Sequence, residues 1–385
     1  MVWCKLCSGL LRRRRQFATL ALALLLGALG HELFGRYWQS KLESPDPQDR
    51  ARAIVFLYSY YSDEQAESLL LAQAWDDDMM VRALCIEHLR KTYQARRIRN
   101  GGAGFARYQN EYEGRSRRAI LLMLALSADQ DEQIRAECFT TLGQINTNAS
   151  LVVPQLIHRI PEEKSETARM ALGWALEEYA LHKEANFHAF AADLPLLIRY
   201  VNSSDPEVAK TAIGTLCRLG KAARQCLPDL YRKLRDKDLR RDVIVAISPL
   251  WELGPNPPEL SQDSIQAITN FIQEDDDRLD DTIVDYAIGL LGTSGERSRD
   301  EIAILIECYD RQYTNQRGMK FAILDALVAI GDPGVLPWLR SVADTETDEI
   351  VAGRAHRALM DLTKRSDNGS EEKGSGVELA PDRRG

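Results

Sequence analysis

The chain has few aromatic residues and no stretch typical of a β-strand. Phe, Trp and Tyr make up 7% of its 385 residues, and the abundance of Ala, Leu and Arg favours helices over sheets. Runs of alternating β-branched residues bounded by turn signals do not occur. These absences exclude a sheet-based fold, and the sequence predicts an all-α protein.

The motifs of common enzyme chemistries are absent as well. The six histidines include no pair four residues apart on one helical face, and neither HExxH nor GxSxG occurs. The glycine-rich stretch at residues 101–104 lacks the Lys-Ser/Thr of a phosphate-binding loop, so we expect a hinge there. The sequence therefore predicts no catalytic residue, no metal site and no cofactor.

Cysteine is scarce, and its spacing does not resemble a disulfide framework. Cys4 and Cys7 supply only half of a tetrahedral zinc site. Cys217 and Cys226 lie on the two sides of one predicted helix hairpin, so the sequence leaves open whether they form a disulfide bond. The cysteines among apolar neighbours are expected to be reduced core thiols: Cys85, Cys138, Cys217, Cys226 and Cys308.

Charge is distributed unevenly along the chain. The formal net charge is −8, yet residues 1–36 carry +5 and residues 90–118 carry +7. Everything else is strongly acidic. The sequence thus predicts an acidic body with two basic patches, which concerns partners rather than fold.

Four consecutive arginines at residues 12–15 directly precede an uncharged apolar run from Phe17 to Gly30. This order is typical of a secretory signal or a signal-anchor whose arginines stay on the cytoplasmic side. The run is short for a membrane span, which takes roughly 17 to 25 residues. Small residues before His31 also offer a cleavage point.

We therefore expect residues 1–16 to form a basic cytoplasmic segment and residues 17–35 to form a membrane anchor, with a cleaved signal sequence as the alternative. An anchored chain would place its remainder outside the cytoplasm. A cleaved chain would be secreted or periplasmic.

A helical pattern recurs along the chain, mostly at intervals of roughly 30 to 43 residues, the range that is typical of helical solenoids. Each copy begins with an acidic or proline-marked turn and continues as an amphipathic helix. The copies start at Asp46, Asp76, Asp129, Glu162, Asp205, Asp236, Asp275, Thr314 and Thr345.

Each copy is predicted to continue into a second helix. Several second helices carry Pro-x-Leu, with the proline expected in the first turn, where its missing N–H has no intrahelical acceptor. Acidic residues stand at the starts of the first helices, as in the runs Asp76 to Asp78 and Asp275 to Asp277. We attribute these runs to stabilisation of negative charge at the positive end of the helix dipole, and we prefer this explanation to calcium binding. Glycines are expected to close the first helices with left-handed caps: Gly143, Gly220, Gly254, Gly292 and Gly331.

The aspartate turns, the Pro-x-Leu second helices and the apolar–Arg pairs Val81-Arg82 and Ile134-Arg135 resemble HEAT repeats, particularly the short bacterial type named after phycobilisome lyases. The resemblance covers roughly residues 44–364. It implies a right-handed α-solenoid of about eight to nine stacked helix pairs that binds other macromolecules, preceded here by the N-terminal apolar helix. Arginine is absent from several copies, as at Ala209 and Ile350.

The period is interrupted at about residues 95–118, where the copies at Asp76 and Asp129 lie too far apart for one repeat. The excess locates an insertion near residues 100–114, and insertions in solenoids emerge as loops, often on the binding face. Arginines mixed with aromatic residues suit anionic ligands and exposed rings. The candidate partner-binding residues are Arg96, Arg97, Arg99, Phe105, Arg107, Tyr108, Tyr112, Arg115, Arg117 and Arg118.

Four roles for this basic arm stay open: folding back on the acidic body, binding an acidic protein or anionic polymer, binding lipid headgroups, and, least favoured, binding nucleic acid. The last 21 residues, 365–385, contain almost nothing to bury and are predicted to be disordered.

The sequence as a whole predicts a membrane-tethered scaffold that binds a protein partner through its groove and its basic arm, without catalysis. The alternative is an enzyme or a chromophore-handling protein of the phycobilin-lyase-like HEAT type, which an absorption spectrum of the purified protein would reveal. A shared fold does not transfer activity.

Overall fold

A computed structural model describes residues 32–100, 105–181, 188–251, 259–273, 281–311 and 316–374. Side chains are described at these positions except 95–100, 105–115, 221–222, 248–251, 281, 316 and 366–374. Over these ranges the regular structure is helical, with no strand. The all-α prediction is confirmed, whereas the predicted segment 1–16 and the anchor up to residue 31 lie outside the described ranges.

The chain forms two compact units, of which the first ends at Tyr179. Its first helices α2, α4 and α6 pack in succession, and its second helices α5 and α7 contact each other. The helices are α1 (residues 32–41), α2 (Pro47–Tyr60), α3 (Asp63–Gln73), α4 (Met79–Asn100), α5 (Phe105–Leu126), α6 (Glu132–Ile145), α7 (Ala149–Arg159) and α8 (Glu166–Leu181), whose last two residues belong to the second unit.

The second unit begins at Ala180. Its first helices α11, α13, α15, α17 and α19 also pack in succession. The helices are α9 (residues 188–191), α10 (Leu194–Val201), α11 (Pro206–Leu219), α12 (Leu227–Lys233), α13 (Arg240–Trp251), α14 (Gln262–Gln273), α15 (Asp281–Thr293), α16 (Ile302–Tyr309), α17 (Gln316–Ile330), α18 (Leu336–Thr345) and α19 (Glu349–Gly374).

Each predicted first helix is present, and its described residues begin within six residues of the predicted start. Stacked helix pairs within each unit are therefore confirmed, whereas the right-handed superhelix remains a prediction. The helical period sets the inward face: in the described part of α4 the fully buried residues are Val81, Cys85, Ile86, Leu89 and Tyr93. Burial of each such side chain contributes about 1.5–3 kcal/mol.

Two details of the predicted repeat are wrong. Pro154 lies inside α7 rather than in its first turn, and Gly143 and Gly292 lie inside α6 and α15 rather than at their ends. A Cβ on Gly143 would come within 2.8 Å of the Trp174 ring, and one on Gly292 within 2.8 Å of the Cα of Ala326. These glycines are required by close helix packing, which the sequence pattern does not distinguish from a cap.

Two other predicted caps are confirmed, since the backbone at Gly220 and Gly331 has positive φ; residue 254 lies outside the described ranges. The acidic starts are also confirmed where they are described. Asp78 accepts hydrogen bonds from the N–H groups of Met80 and Val81 at the start of α4. The run at 275–277 is not among the described residues.

A ladder of arginines and carboxylates joins the repeats of the first unit. Arg50 donates two hydrogen bonds of 2.7 Å to the carboxylate of Asp76 in the next repeat. Arg135 likewise donates two bonds of 2.7 and 2.8 Å to Glu163, whereas Arg82 donates one bond of 3.1 Å to the carboxylate of Asp129 and forms an ion pair with it at 3.0 Å. Such two-pronged pairs fix both distance and orientation.

The ladder is continuous because each carboxylate residue also accepts a bond through its own carbonyl. Arg82 donates to the carbonyl of Asp76 at 2.9 Å, and Arg135 donates to that of Asp129 at 2.9 Å. Arg169 then donates to that of Glu163. The turns at Asp76, Asp129 and Glu163 are thus each held by two successive arginines.

The ladder passes the interruption without a break. Its partners are 26 residues apart for Arg50 and Asp76 and 28 apart for Arg135 and Glu163, but 47 apart for Arg82 and Asp129. The additional residues therefore leave the register of the first helices intact.

In the second unit, the helix position that holds the ladder arginines of the first unit makes different contacts. Arg240 donates to the carbonyl of Leu234 at 2.9 Å, and Lys320 lies 2.6 Å from the carboxylate of Glu346. Ala209 occupies the arginine position of α11, as predicted. In α19 that position, four residues after the cap Asp348, is Ala352 rather than Ile350.

Part of the predicted disordered tail is helical. The backbone of α19 continues through Gly374, so the prediction is wrong for residues 365–374; residues 375–385 lie outside the described ranges. The Arg365 side chain donates to the carbonyl of Val328 at 2.9 Å. Extension of an already nucleated helix costs little, which composition alone does not reveal.

Loss of one ladder carboxylate should destabilise the protein far more than loss of its exposed neighbour. We expect Glu163→Gln to lower the free energy of unfolding by about 3 kcal/mol, because it leaves the guanidinium of Arg135 without its buried counter-charge. Glu162→Gln is the matched control, since Glu162 is exposed and pairs with Arg159 three residues away; its effect should stay within about 0.5 kcal/mol. Urea unfolding followed by circular dichroism measures both, and equal effects would contradict a stabilising ladder.

The ladder also predicts that the free energy of unfolding depends on pH. Burial acts to raise the pKa of Glu163, but hydrogen bonds from Arg135 and from the Ser165 N–H, with the arginine charge, lower it below its ordinary value of 4.5. A lowered folded-state pKa stabilises the fold above pH 4.5, and this contribution is lost as the pH falls further. The stability difference between wild type and Glu163→Gln should therefore be constant between pH 6 and 7 and shrink below about pH 4.5, which unfolding curves at stepped pH will show.

Candidate protein-binding groove

A groove of about 510 Å³ runs across the first helices of the first unit. Its walls are apolar and its remaining lining is charged. Spacings of three and four residues place its α2 and α4 residues on one side of each helix. The lining residues are Ala51, Arg52, Val55 and Phe56 of α2, Met80, Ala83, Leu84, Glu87 and Arg90 of α4, and Glu137 of α6.

The apolar walls are unusually open to solvent. Val55, Phe56 and Met80 are 43%, 45% and 47% exposed, whereas their neighbours Ile54 and Val81 are fully buried. The first helices are thus apolar on two sides, one facing the core and one facing the groove. Contiguous exposed apolar surface rimmed by charges is typical of a protein-binding site.

Two polar atoms in the groove lining are buried without a hydrogen-bond partner: Nε of Arg90 and Oε2 of Glu137. A buried polar group without a partner costs about 1–3 kcal/mol. Glu87, in contrast, is paired with Lys91 at 2.7 Å, and the hydrogen bond from that lysine lowers the pKa of Glu87. The groove lining therefore contains one donor and one acceptor that the folded chain leaves unsatisfied.

One wall of the groove belongs to a cluster of aromatic rings. The ring of Trp38 in α1 stacks on Phe56 at 4.2 Å with an angle of 19°, and Phe34 meets both rings edge-on at 6.1 Å. Gly35 lets α1 approach, because a Cβ there would lie 3.1 Å from the Tyr60 ring. Helix α1, whose first residues overlap the end of the predicted anchor, is therefore packed against the first repeat.

The basic insertion forms helix rather than the predicted loop. α4 extends to Asn100 and α5 begins at Phe105, so the inserted residues lengthen both helices of one pair, and the predicted hinge at 101–104 lies outside the described residues. Arg117 and Arg118 are exposed. The side chains of the other predicted partner-binding residues are not described: Arg96, Arg97, Arg99, Phe105, Arg107, Tyr108, Tyr112 and Arg115.

The groove and the basic arm share one helix. Positions 90 and 97 are seven residues apart in α4 and therefore lie on the same helical face, about 10 Å apart along the axis. The α4 side of the groove is thus continuous along the helix with the start of the predicted arm. The role of the arm residues themselves remains a prediction.

The groove residues were not predicted from the sequence, because the apolar positions of the first helices were assigned to the core. A signal was present in Val55-Phe56-Leu57 and Met79-Met80-Val81, where three consecutive apolar residues exceed what one helical face can bury. The unpartnered Arg90 and Glu137 had no sequence signal, since their isolation depends on the contacts between α4 and α6.

The described residues contain no group of three or more His, Cys, Asp or Glu side chains placed to hold a metal ion. None of the described helices is both long and apolar enough to cross a membrane. Cys217 and Cys226 form no disulfide bond with each other in this structure. Burial raises the pKa of Cys226 to about 12, which keeps it protonated and unreactive at neutral pH.

No protein-family model and no curated protein sequence matches the chain, but solved structures resemble it in fold. Importin beta, crystallised in a polyethylene glycol condition, is 13% identical with a TM-score of 0.52, over 88% of this chain and 50% of its own. Kap95p, whose binding induces the switch loops of RanGDP to adopt the GTP-bound conformation, is 14% identical with a TM-score of 0.50, over 89% of this chain and 49% of its own.

The chain thus spans about half the length of these structures. Because the identities are low, the likeness shows the fold alone. That fold is a HEAT-like helical repeat, which agrees with the resemblance found in the sequence at the level of the repeat class.

Removal of the unpartnered carboxylate from the groove should stabilise the protein. We expect Glu137→Met to raise the free energy of unfolding by about 1 kcal/mol, because it removes a buried acceptor without a partner and keeps the bulk of the side chain. Gln133→Met, at an exposed position of the same helix, is the control and should change stability by less than about 0.5 kcal/mol. A destabilised Glu137→Met protein in urea unfolding would show that the carboxylate serves the fold.

Proposed function

We propose that this protein is a membrane-tethered HEAT-like scaffold that binds an amphipathic helix of a partner protein in the groove of its first unit, without catalysis of its own. The observation that carries the proposal is the exposed apolar groove on α2, α4 and α6 with its unpartnered donor and acceptor. Residues 95–118 are proposed to extend this surface as a basic arm.

The lining indicates the chemistry of the partner. Phe56, Met80 and Leu84 would receive apolar side chains at helical spacing, as in other helix-in-groove complexes. Arg90 and Glu137 would accept one acidic and one hydrogen-bond-donating side chain. Because position 97 continues the same face of α4, the partner helix is expected to carry acidic residues toward that end.

The tether is proposed from the sequence. The arginines at 12–15 and the apolar run from Phe17 to Gly30 support a signal-anchor with the helical repeats outside the cytoplasm; secretion or export to the periplasm after cleavage is the alternative. The fold of Kap95p, whose binding acts on RanGDP, supports protein binding by helical repeats in general. That likeness does not transfer the partner to this chain.

A groove variant tests the binding site. Tagged full-length protein is captured from detergent-solubilised membranes, and bound proteins are quantified by mass spectrometry. We expect Met80→Asp to reduce recovery of the partner at least about tenfold, since a charge would be buried against its apolar face. Met360→Asp, at an exposed position of α19, is the matched control and should leave recovery unchanged.

Equal recovery by the Met80→Asp and Met360→Asp proteins would contradict the groove as the binding site. The arm is tested separately with Arg97→Glu and Arg99→Glu combined. If the arm binds acidic residues, this variant loses the partner and wild-type capture weakens with salt. Unchanged capture by the arm variant would restrict the site to the groove.

Topology can be checked independently of binding. With alkaline phosphatase fused after Gly385, we expect enzyme activity in intact cells and retention of the fusion in membranes after carbonate extraction, because the basic flank should stay in the cytoplasm. Activity with release into the soluble fraction would support the cleaved signal instead. Lack of activity, together with fluorescence of the corresponding green fluorescent protein fusion, would reverse the proposed orientation.

A further inference from the structure

We infer that α1 contacts the bilayer directly: Leu33, Phe34 and Tyr37 lie at the lipid–water interface and hold the first repeat against the membrane without a flexible linker. This inference rests on the proposed membrane tether and goes beyond it, since a tether alone leaves the distance between repeats and membrane open.

The first step is the length of the anchor. The fourteen residues from Phe17 to Gly30 rise only about 21 Å as a helix, whereas the hydrocarbon core is about 30 Å thick. About six further residues are needed to span it. Those residues extend to Arg36 and include Leu33 and Phe34.

The second step is the exposed surface of α1. Leu33, Phe34 and Tyr37 are 63%, 47% and 54% exposed, and positions 33 and 37 are one helical turn apart. Their charged neighbours Glu32 and Arg36 form an ion pair of 2.7 Å, which cancels their net charge. Aromatic residues with an apolar body and a polar tip are typical of the headgroup region.

The third step is the short length of chain between the predicted anchor and the first repeat. From Gly30 to Glu32 the chain spans at most about 7 Å, and α1 adds about 3 Å to reach Phe34. Phe34 and Trp38 are already packed on Phe56 of α2. Phe34 must therefore lie within about 10 Å of the end of the apolar run, and Phe56 of the first repeat lies against it at 6.1 Å.

A site-specific photo-crosslinker tests the contact. The full-length protein is reconstituted in vesicles of phosphatidylcholine and phosphatidylglycerol with p-benzoyl-phenylalanine replacing either Tyr37 or Leu121. Leu121 lies in α5 and is 49% exposed, so the two positions are matched in accessibility. After irradiation we expect about tenfold more lipid adduct at position 37 than at position 121, because only position 37 lies in the headgroup layer.

Two outcomes separate the inference from the tether. If the protein resists carbonate extraction but positions 37 and 121 give equal lipid adduct, the tether stands and the contact of α1 with the bilayer is wrong. If the protein is lost from the vesicles on carbonate extraction, the tether itself is wrong, and the inference falls with it. Unfolding curves of both labelled proteins establish that the substitutions leave the fold intact.

Discussion

The interaction on which the first unit depends is the buried pairing of an arginine in one repeat with a carboxylate in the next. A single helix pair leaves apolar surface uncovered on both sides and gains stability only from its neighbours. Apolar packing supplies most of that stability but tolerates sliding, whereas two hydrogen bonds from one guanidinium to one carboxylate do not. Because Asp76, Asp129 and Glu163 each accept from two successive arginines, a shift at one junction would disturb the next.

This constraint also explains how the chain carries a large insertion. The pair of Arg82 and Asp129 keeps its geometry across 47 residues, so the additional length has to project from the ends of α4 and α5. The groove on the first helices is thereby kept in register while a basic extension is added beside it. Separate parts of one helix serve stability and, in the proposed function, recognition: the buried face of α4 holds the core, and its exposed face lines the groove.

The groove illustrates a conflict between stability and binding. Phe56 and Met80 leave apolar surface exposed, although Phe56 also packs on Phe34 and Trp38 of α1. The buried polar atoms of Arg90 and Glu137 without partners cost free energy. Such features are typical of functional surfaces, where local stability is lower than the fold allows. The aromatic packing of α1 on α2 adds a second surface of this kind, apolar enough to meet a bilayer and fixed to the first repeat by Trp38 and Phe56.

The sequence by itself determined the helical class, the position of every first helix and the charge asymmetry, because helical period, acidic caps and turn residues act locally. It also placed the arginines of Val81-Arg82 and Ile134-Arg135 at their correct helical positions. Only the tertiary structure decided which carboxylate each arginine meets, that Gly143 serves helix packing, that the insertion is helical, and that Phe56 and Met80 face solvent rather than the core. These features depend on which helix faces approach one another, and the periodicity of a single helix carries no information about its neighbour.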